Sequence, residues 1–294
     1  MLIHSFLEYL QHEKKYSSHT IKAYEQDLYS FRDFCVVEFK QEEIEEIHYN
    51  QIRTWIVALV NQKISNRSIN RKVSSLKSFY RFLQKIGEIQ VNPLTSHKSL
   101  KVQKKIQVPF TQDEVEKVFE MLEDENDFVE VRNKLIVELL YSTGIRRAEL
   151  IQIKEGDINY SNKTIKIIGK RNKERYVVLL DLVFNTLQKY LLLKKKVVNN
   201  VDELLITEKG NKLYETLVYR IINLYFSRAS TKTKKSPHML RHTFATHLLN
   251  SGASLNTVKE LLGHSSLAST QVYTHSSLEK IKEVYNKTHP RGST

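Results

Sequence analysis

The residues from Pro237 to His275 read Pro-His-Met-Leu-Arg-His-Thr-Phe-Ala-Thr-His-Leu-Leu-Asn-Ser-Gly-Ala-Ser-Leu-Asn-Thr-Val-Lys-Glu-Leu-Leu-Gly-His-Ser-Ser-Leu-Ala-Ser-Thr-Gln-Val-Tyr-Thr-His. Their punctuation predicts three helical segments. Ser236 can cap the first, with Pro237 at the first helical position, where no backbone donor is missed. Gly252 stops it, and Ser254 can cap the second. Leu255, Val258, Leu261 and Leu262 give the second segment an apolar stripe, and Gly263 ends it. His264 follows at once. Tyr273 lies nine residues beyond His264, on the third segment.

The polar residues of this stretch share a location. His238 and Arg241 are three apart and so lie on one helix face. That face is in the first turn, where free backbone N–H groups and the helix dipole favour an anion. A His, an Arg and a helix N-terminus make a phosphate site. His264 and Tyr273 can converge on the same phosphate. Upstream, Thr143-Gly144-Ile145-Arg146 ends another helix and presents a second Arg.

In their order and separations, Thr143-Gly144-Ile145-Arg146, Gly169-Lys170, His238-Met239-Leu240-Arg241-His242, Leu262-Gly263-His264 and Tyr273 resemble the tyrosine recombinases. This is the phage-integrase-like superfamily, and the likeness is narrower to its bacterial Xer-type members. It extends over nearly the whole chain, because the N-terminal part resembles the family's core-binding domain.

The 294 residues suffice for two domains, and 40% hydrophobic content supports ordinary packed cores. Eight Gly and four Pro argue against a sheet-rich fold with many tight turns. The net charge of +13 calls for an acidic partner. It is spread along the chain: residues 1–105 hold 17 Lys and Arg against 11 Asp and Glu, and the remainder holds 29 against 22. One cysteine, Cys35, excludes an intrachain disulfide and a multi-Cys zinc site; its apolar helical surroundings make it a core residue. The N-terminus lacks the pattern of a signal peptide, and no run of about 18 apolar residues occurs, so a cytoplasmic protein without a membrane span is expected.

Helical spacing predicts a four-helix unit in the first 94 residues. Leu2, Phe6, Leu7 and Leu10 mark one helix. Ile21, Tyr24, Leu28, Phe31 and Phe34 mark the next, with Ser18 as its cap. Ile52, Trp55, Ile56, Leu59 and Val60 mark a third. Ile69, Val73, Leu76, Phe79, Tyr80, Phe82 and Leu83 mark a fourth, which Gly87 stops. Arg67, Arg71, Lys72 and Lys77 decorate the fourth helix beside Ser65, Asn66, Ser68 and Asn70. They are either a solvated face or, as the resemblance favours, contacts to DNA phosphates. Residues 95–108 are basic and lack apolar period, which predicts a linker. Residues 109–294 form the second domain, opened by the capping box Thr111-Gln112-Asp113-Glu114. There the period changes: Thr164 to Ile168 and Tyr176 to Leu180 predict a β-hairpin with a basic tip, Gly169-Lys170-Arg171-Asn172-Lys173-Glu174-Arg175. The expected fold is therefore mainly α, with a small β-hairpin or sheet in the second domain.

Attack on a phosphodiester requires charge stabilisation at the nonbridging oxygens, an activated nucleophile and a proton for the leaving oxygen. Arg146 and Arg241 suit the first task, because guanidinium forks match phosphate oxygens. The resemblance implies Tyr273 as nucleophile, His238 as acceptor of its proton, Lys170 as proton donor to the departing 5′ oxygen and His264 as a hydrogen-bond donor to a nonbridging oxygen. It further implies a 3′-phosphotyrosyl intermediate, strand exchange without ATP or metal, and four protomers on two duplex DNA sites, as a homo- or hetero-tetramer. The sequence contains no phosphate-binding GxxxxGK loop and no carboxylate cluster for paired magnesium ions. Two positions depart from the family pattern. Arg147 follows Arg146, and only one of two adjacent helical residues can face the phosphate. Arg171 stands where a small Gly is usual, which leaves Lys173 as the alternative to Lys170.

Residues 278–285 carry apolar side chains at helical spacing, either packing on their own domain or, as the resemblance implies, docking on a neighbour. Resolution of chromosome or plasmid dimers at cell division, with a DNA translocase as a candidate regulator, is the expected role. The alternatives are an integrase or transposase of a phage or mobile element with the same chemistry, a topoisomerase-like side activity, and a DNA-binding protein that does not cleave.

Overall fold

The computed structural model describes residues 2–103, 107–122, 127–169, 173–198, 201–263 and 288–291. The chain divides into two compact units, residues 1–105 and 106–294. No helix among the described residues is long and apolar enough to cross a membrane.

The first unit contains α1 (Leu2–His12), α2 (Ser18–Phe39), α3 (Tyr49–Asn61) and α4 (Asn66–Ile86). α4 buries Ile69, Val73, Leu76, Phe79, Tyr80, Phe82 and Leu83, the stripe its spacing predicts. Ser65 caps its start and Gly87, at φ 84°, its end. Phe6 of α1 meets Tyr24, Phe79 and Phe82 at centroid separations of 5.9, 5.5 and 5.4 Å. Cys35 is fully buried, and burial pushes its thiol up to about 12, so it serves as a core residue. Two details differ from the sequence expectation. Ser17, whose backbone is extended, caps α2 by accepting from the Thr20 amide, and Ser18 is already helical. Val60 is exposed, because α3 rotates only Ile52, Trp55, Ile56 and Leu59 inward. The chain beyond Asn92 continues to pack on this unit. Leu94 is fully buried. The Asn70 amide donates to the Leu100 carbonyl and accepts from its N–H, both at 2.9 Å, and Asn66 donates to the Lys101 carbonyl at 2.8 Å. Side-chain amides can satisfy an extended strand of backbone in this way, so residues up to Lys101 lie clamped along α4.

The second unit contains α5 (Gln112–Glu120), α6 (Phe128–Thr143), α7 (Arg147–Leu150), β1 (Ile158–Asn159), β2 (Thr164–Ile168), β3 (Glu174–Val178), α8 (Asp181–Val197), α9 (Glu215–Ala229), α10 (Pro237–Asn250) and α11 (Leu255–Leu262). The strands form one antiparallel sheet in the order β1-β2-β3. The chain is thus mainly helical with a small sheet, as its sequence predicts. α6 is apolar on several faces, burying Val131, Leu135, Ile136, Leu139 and Leu140, and it packs against α8, α9 and α10. α5 opens with the expected capping box: Thr111 accepts from the Glu114 amide at 3.2 Å, and Glu114 accepts from the Thr111 amide at 2.8 Å. Residues 288–291 pack on this same unit, with His289 against Tyr141 at a centroid separation of 5.3 Å and Arg291 over Phe119 at 3.8 Å.

Candidate active site

The start of α10 positions two of the expected groups. Ser236 caps it by accepting from the Met239 amide at 3.3 Å, with Pro237 next in line. The inward face of the helix is locked. Thr243 is fully buried and accepts from the Phe110 amide at 3.0 Å. His247 bonds the Phe110 carbonyl at 2.9 Å and the Tyr141 hydroxyl at 3.0 Å. Burial lowers the His247 pKa, and a neutral ring fits these contacts, with one nitrogen donating and the other accepting. That anchoring leaves His238 exposed on the opposite side of the helix.

Arg241 lies between the two sides, with only 7% of its surface exposed. Its guanidinium donates to the Gly144 carbonyl at 2.5 Å and to the Leu262 carbonyl at 2.7 Å. These carbonyls belong to the C-terminal ends of α6 and α11, where the helix dipole favours a cation. Burial, and then the neighbouring charges of Arg146 and Arg175, lower its pKa to about 10, which still leaves it charged at neutral pH. Arg241 therefore stitches together the loop that leads to Arg146 and the loop that leads to His264. Both loops turn on left-handed glycines. A Cβ on Gly144 (φ 60°) would lie 2.4 Å from the Phe244 ring, and one on Gly263 (φ 63°) would lie 2.9 Å from the Arg175 side chain.

Arg146 caps α7, and a single carboxylate holds it there. Glu149 accepts from the Arg146 backbone N–H at 2.8 Å and from the Arg146 guanidinium at 2.7 Å. The same carboxylate accepts two bonds from Arg175 on β3, at 3.1 and 2.7 Å. Four donors use all four of its lone-pair directions. Burial alone would raise the Glu149 pKa; the bonds and charge of Arg175, followed by those of Arg146, override it and bring it to about 2. Arg147, the neighbour that competes with Arg146 in sequence, pairs instead with Glu215 on α9. Arg146 keeps 44% of its side chain exposed, so it can face a ligand as well as its carboxylate.

The structure thus brings Arg146 and Arg241 to one corner and puts His238 on the turn that holds Arg241. Lys170, His264 and Tyr273 lie outside the described residues, as does the segment 278–285. The base of the hairpin is described: the Gly169 amide donates to the Lys173 carbonyl at 2.7 Å, and Ile168 pairs with Glu174. Glu149 and Arg175 are not among the residues selected from the sequence. The signal for Glu149 was an acid three residues after Arg146, the spacing of a capping box. For Arg175 it was only the strand alternation that puts it on the face of Val177.

Residues 83–280 match the model of the phage integrase family, and residues 3–87 match the phage integrase N-terminal SAM-like domain. The chain belongs to the phage integrase family of tyrosine recombinases. It is 40% identical over 291 residues to the tyrosine recombinase XerC of Anoxybacillus flavithermus, covering 97% of this chain and 96% of that one. With XerC of Oceanobacillus iheyensis it shares 39% identity over 298 residues, covering 100% and 97%. These relatives make it a Xer-type recombinase. The fold is also that of XerH bound to palindromic difH substrate in a post-cleavage complex (TM-score 0.74, 22% identity, covering 96% of this chain and 82% of that one). The Tn1549 transposon integrase in complex with transposon right end DNA has the same fold (TM-score 0.74, 18% identity, covering 96% and 98%).

In the SAM-like domain of this recombinase, the four basic residues of α4 have different surroundings. Arg71 pairs with Asp27 of α2 through both terminal nitrogens, one of them at 2.9 Å. Lys72 reaches the same carboxylate at 3.3 Å, and the Ser75 hydroxyl donates to it at 2.8 Å. Asp27 is only 1% exposed. Lys72 is otherwise tucked over the Trp55 ring at 5.9 Å, whereas Arg71 keeps half of its side chain in solvent. Arg67 is exposed and has no ion pair among the described residues, and Lys77 is half-buried.

Proposed function

We propose that Arg146 and Arg241 hold the scissile phosphate of a duplex DNA site, and that Tyr273 attacks it to give a 3′-phosphotyrosyl bond and a free 5′-hydroxyl. In this reading His238 accepts the tyrosine proton, Lys170 protonates the departing 5′ oxygen and His264 bonds a nonbridging oxygen. The phosphodiester energy stays in the protein–DNA bond until a second 5′-hydroxyl attacks it, so neither nucleotide nor metal takes part. The observation that carries the proposal is the convergence of Arg146 and Arg241, distant in sequence, on one partly open corner beside the capped start of α10. Two guanidinium groups already held in place stabilise charge developing on phosphate oxygens with little reorganisation.

The similarity to XerC along nearly the whole chain supports resolution of chromosome dimers as the role. Related structures, among them a lambda integrase tetramer bound to a Holliday junction, support a tetramer on two DNA sites. A second recombinase subunit, regulation by a DNA translocase and action in the cytoplasm belong to the same proposal, as does contact of Arg67, Arg71, Lys72 and Lys77 with the DNA backbone. The division into residues 1–94, a linker at 95–108 and a catalytic domain at 109–294 also belongs to it.

Covalent capture tests the central step. The protein is incubated with genomic fragments in EDTA, denatured, and the attached DNA is sequenced. One recurrent site is expected, and Tyr273→Phe should lose the adduct while binding that site within about threefold of wild type. An adduct that persists in Tyr273→Phe, or that needs magnesium, sinks the assignment.

A further inference from the structure

We propose that Arg175 is a positioning residue for DNA cleavage: acting through Glu149, it fixes Arg146 and registers the base of the β2–β3 hairpin and the Gly263 turn against the phosphate-binding corner. The inference rests on the proposed role of Arg146 and goes beyond it, because it assigns Arg175 an effect exerted through Glu149 and not through contact with the phosphate. Its side chain is 93% buried, being only 7% exposed, and both terminal nitrogens are spent on Glu149.

Three connections meet at this side chain. The first runs from the two nitrogens to Glu149 and on to the Arg146 backbone and guanidinium. The second is to Gly169, the last described residue before Lys170: a Cβ there would sit 3.6 Å from the Arg175 Nη1. The third is to Gly263, the last described residue before His264, which packs on the aliphatic stem so closely that a Cβ would lie 2.9 Å from Cδ. Arg175 is thus wedged between the two chain segments that lead to Lys170 and His264, and it is bonded to the carboxylate that holds Arg146. Its Nε is buried and has no hydrogen-bond partner among the described residues. A guanidinium that leaves one buried donor unsatisfied is a poor solution for stability alone, since a buried ion pair is often matched by apolar groups of similar volume.

Charge gives a second reason for an arginine here. Arg146, Arg175 and Arg241 supply three positive charges around the one negative charge of Glu149, so the corner keeps two in excess. A phosphodiester brings one negative charge, and the state in which a fifth oxygen approaches phosphorus concentrates more on the nonbridging oxygens. Without Arg175 the excess falls to one, and Glu149 keeps Arg146 as its one ion-pair partner among the described residues.

The experiment uses the full chain and a nicked duplex carrying the site recovered by covalent capture. Adduct formation is followed in a single turnover between pH 5 and 9, and binding to the same duplex is measured in parallel. Arg175→Gln should slow adduct formation by about 10²-fold at neutral pH, with affinity within about threefold of wild type, and should add rate loss at the acid end of the range, where Glu149, ionised throughout in wild type, becomes easier to protonate. Arg175→Lys, which keeps the charge, should recover the rate to within about tenfold of wild type and remove the added acid loss. Because Arg175 acts through Glu149, Glu149→Gln combined with Arg175→Gln should be no slower than the slower single variant. Multiplicative losses in the double variant, or a folded Arg175→Gln with a wild-type rate and no added acid loss, overturn the proposal. If Arg175→Gln fails to fold by thermal melt, the pH profile of Arg175→Lys decides: a loss of rate that does not deepen at the acid end, with no recovery by charge, overturns it. Arg146→Ala run alongside separates the two levels. A wild-type rate there overturns the Arg146 assignment and this inference together, whereas a slow Arg146→Ala beside an unaffected Arg175→Gln overturns the inference alone.

Discussion

Each unit of this recombinase contains a buried carboxylate surrounded by cations, and the two are built differently. In the SAM-like domain Asp27 takes Arg71, Lys72 and Ser75 from a single stretch of α4, so one helix-to-helix seam makes the whole cluster. In the catalytic unit Glu149 takes Arg146 from its own helix start and Arg175 from a strand, while Arg241 spans the ends of two further helices. The first cluster depends on two helices staying packed. The second depends on α6, α7, α10, α11 and the hairpin all being in register. An arrangement built from many elements can hold charges in a geometry that no single helix face offers, at the cost of failing when any one of them shifts.

Removing Arg241 should separate the clusters most sharply. Arg241→Ala should reduce covalent adduct formation by about 10²–10³-fold, the usual cost of one fixed oxyanion donor, and should lower the melting temperature of the catalytic unit because two helix ends lose their shared donor. Single-turnover cleavage and calorimetry measure the two effects. A cleavage rate within tenfold of wild type would contradict the role assigned to this corner. Asp27→Ala is the matching change in the other unit. It removes the acceptor shared by Lys72 and the buried Ser75 hydroxyl, and losing the partner of a buried hydrogen-bonded group costs about 1–3 kcal/mol. Denaturant unfolding should show that loss in the first unit, while cleavage by the protein that remains folded should be little changed. Equal damage to both functions would mean that the clusters are not separable.

The smallest effect concerns salt. Arg67 lacks an ion pair among the described residues, whereas Arg71 shares Asp27, so the two should differ as DNA contacts although they are one helical turn apart. Arg67→Ala should lower the slope of log affinity against log salt by about one unit, and Arg71→Ala by less. Titration of the captured site across salt concentrations measures this. Equal slopes for the two variants would show that the pairing with Asp27 yields when DNA arrives.

Helices and their ends were legible in the sequence because caps are local. Ser236 with Pro237, Ser254, Thr111 with Glu114, Gly144 and Gly263 each act within one turn, and each stands where its residue type predicts. Arg146 and His238 stand at helix ends and Arg241 one turn further into α10, the positions their spacing in the sequence gives them. Clusters were not legible in this way. Asp27 lies among the apolar residues of α2 and carries no signal of its own; its partners come from α4, more than 40 residues later. Arg175 reads as part of a basic tip, because the bond that buries it comes from Glu149, 26 residues earlier in the chain. Asn66 and Asn70 read as companions of phosphate-binding residues, and in the structure their amides hold residues 100 and 101 of their own chain. Pairings of this kind depend on tertiary register, which neither period nor composition encodes.

The two bonds that Arg241 makes to the Gly144 and Leu262 carbonyls also bear on how the enzyme loses activity. They tie the last turns of α6 and α11 into one opening unit, so these turns should fray together or not at all. Amide exchange at both helix ends would then share a single protection factor, lower than that of the α6 core. Inactivation by heat or mild denaturant would track this local opening and precede global unfolding. If the corner of Arg146 and Arg241 acts as proposed, its resting stability, rather than that of the whole fold, would set the conditions under which the recombinase can work.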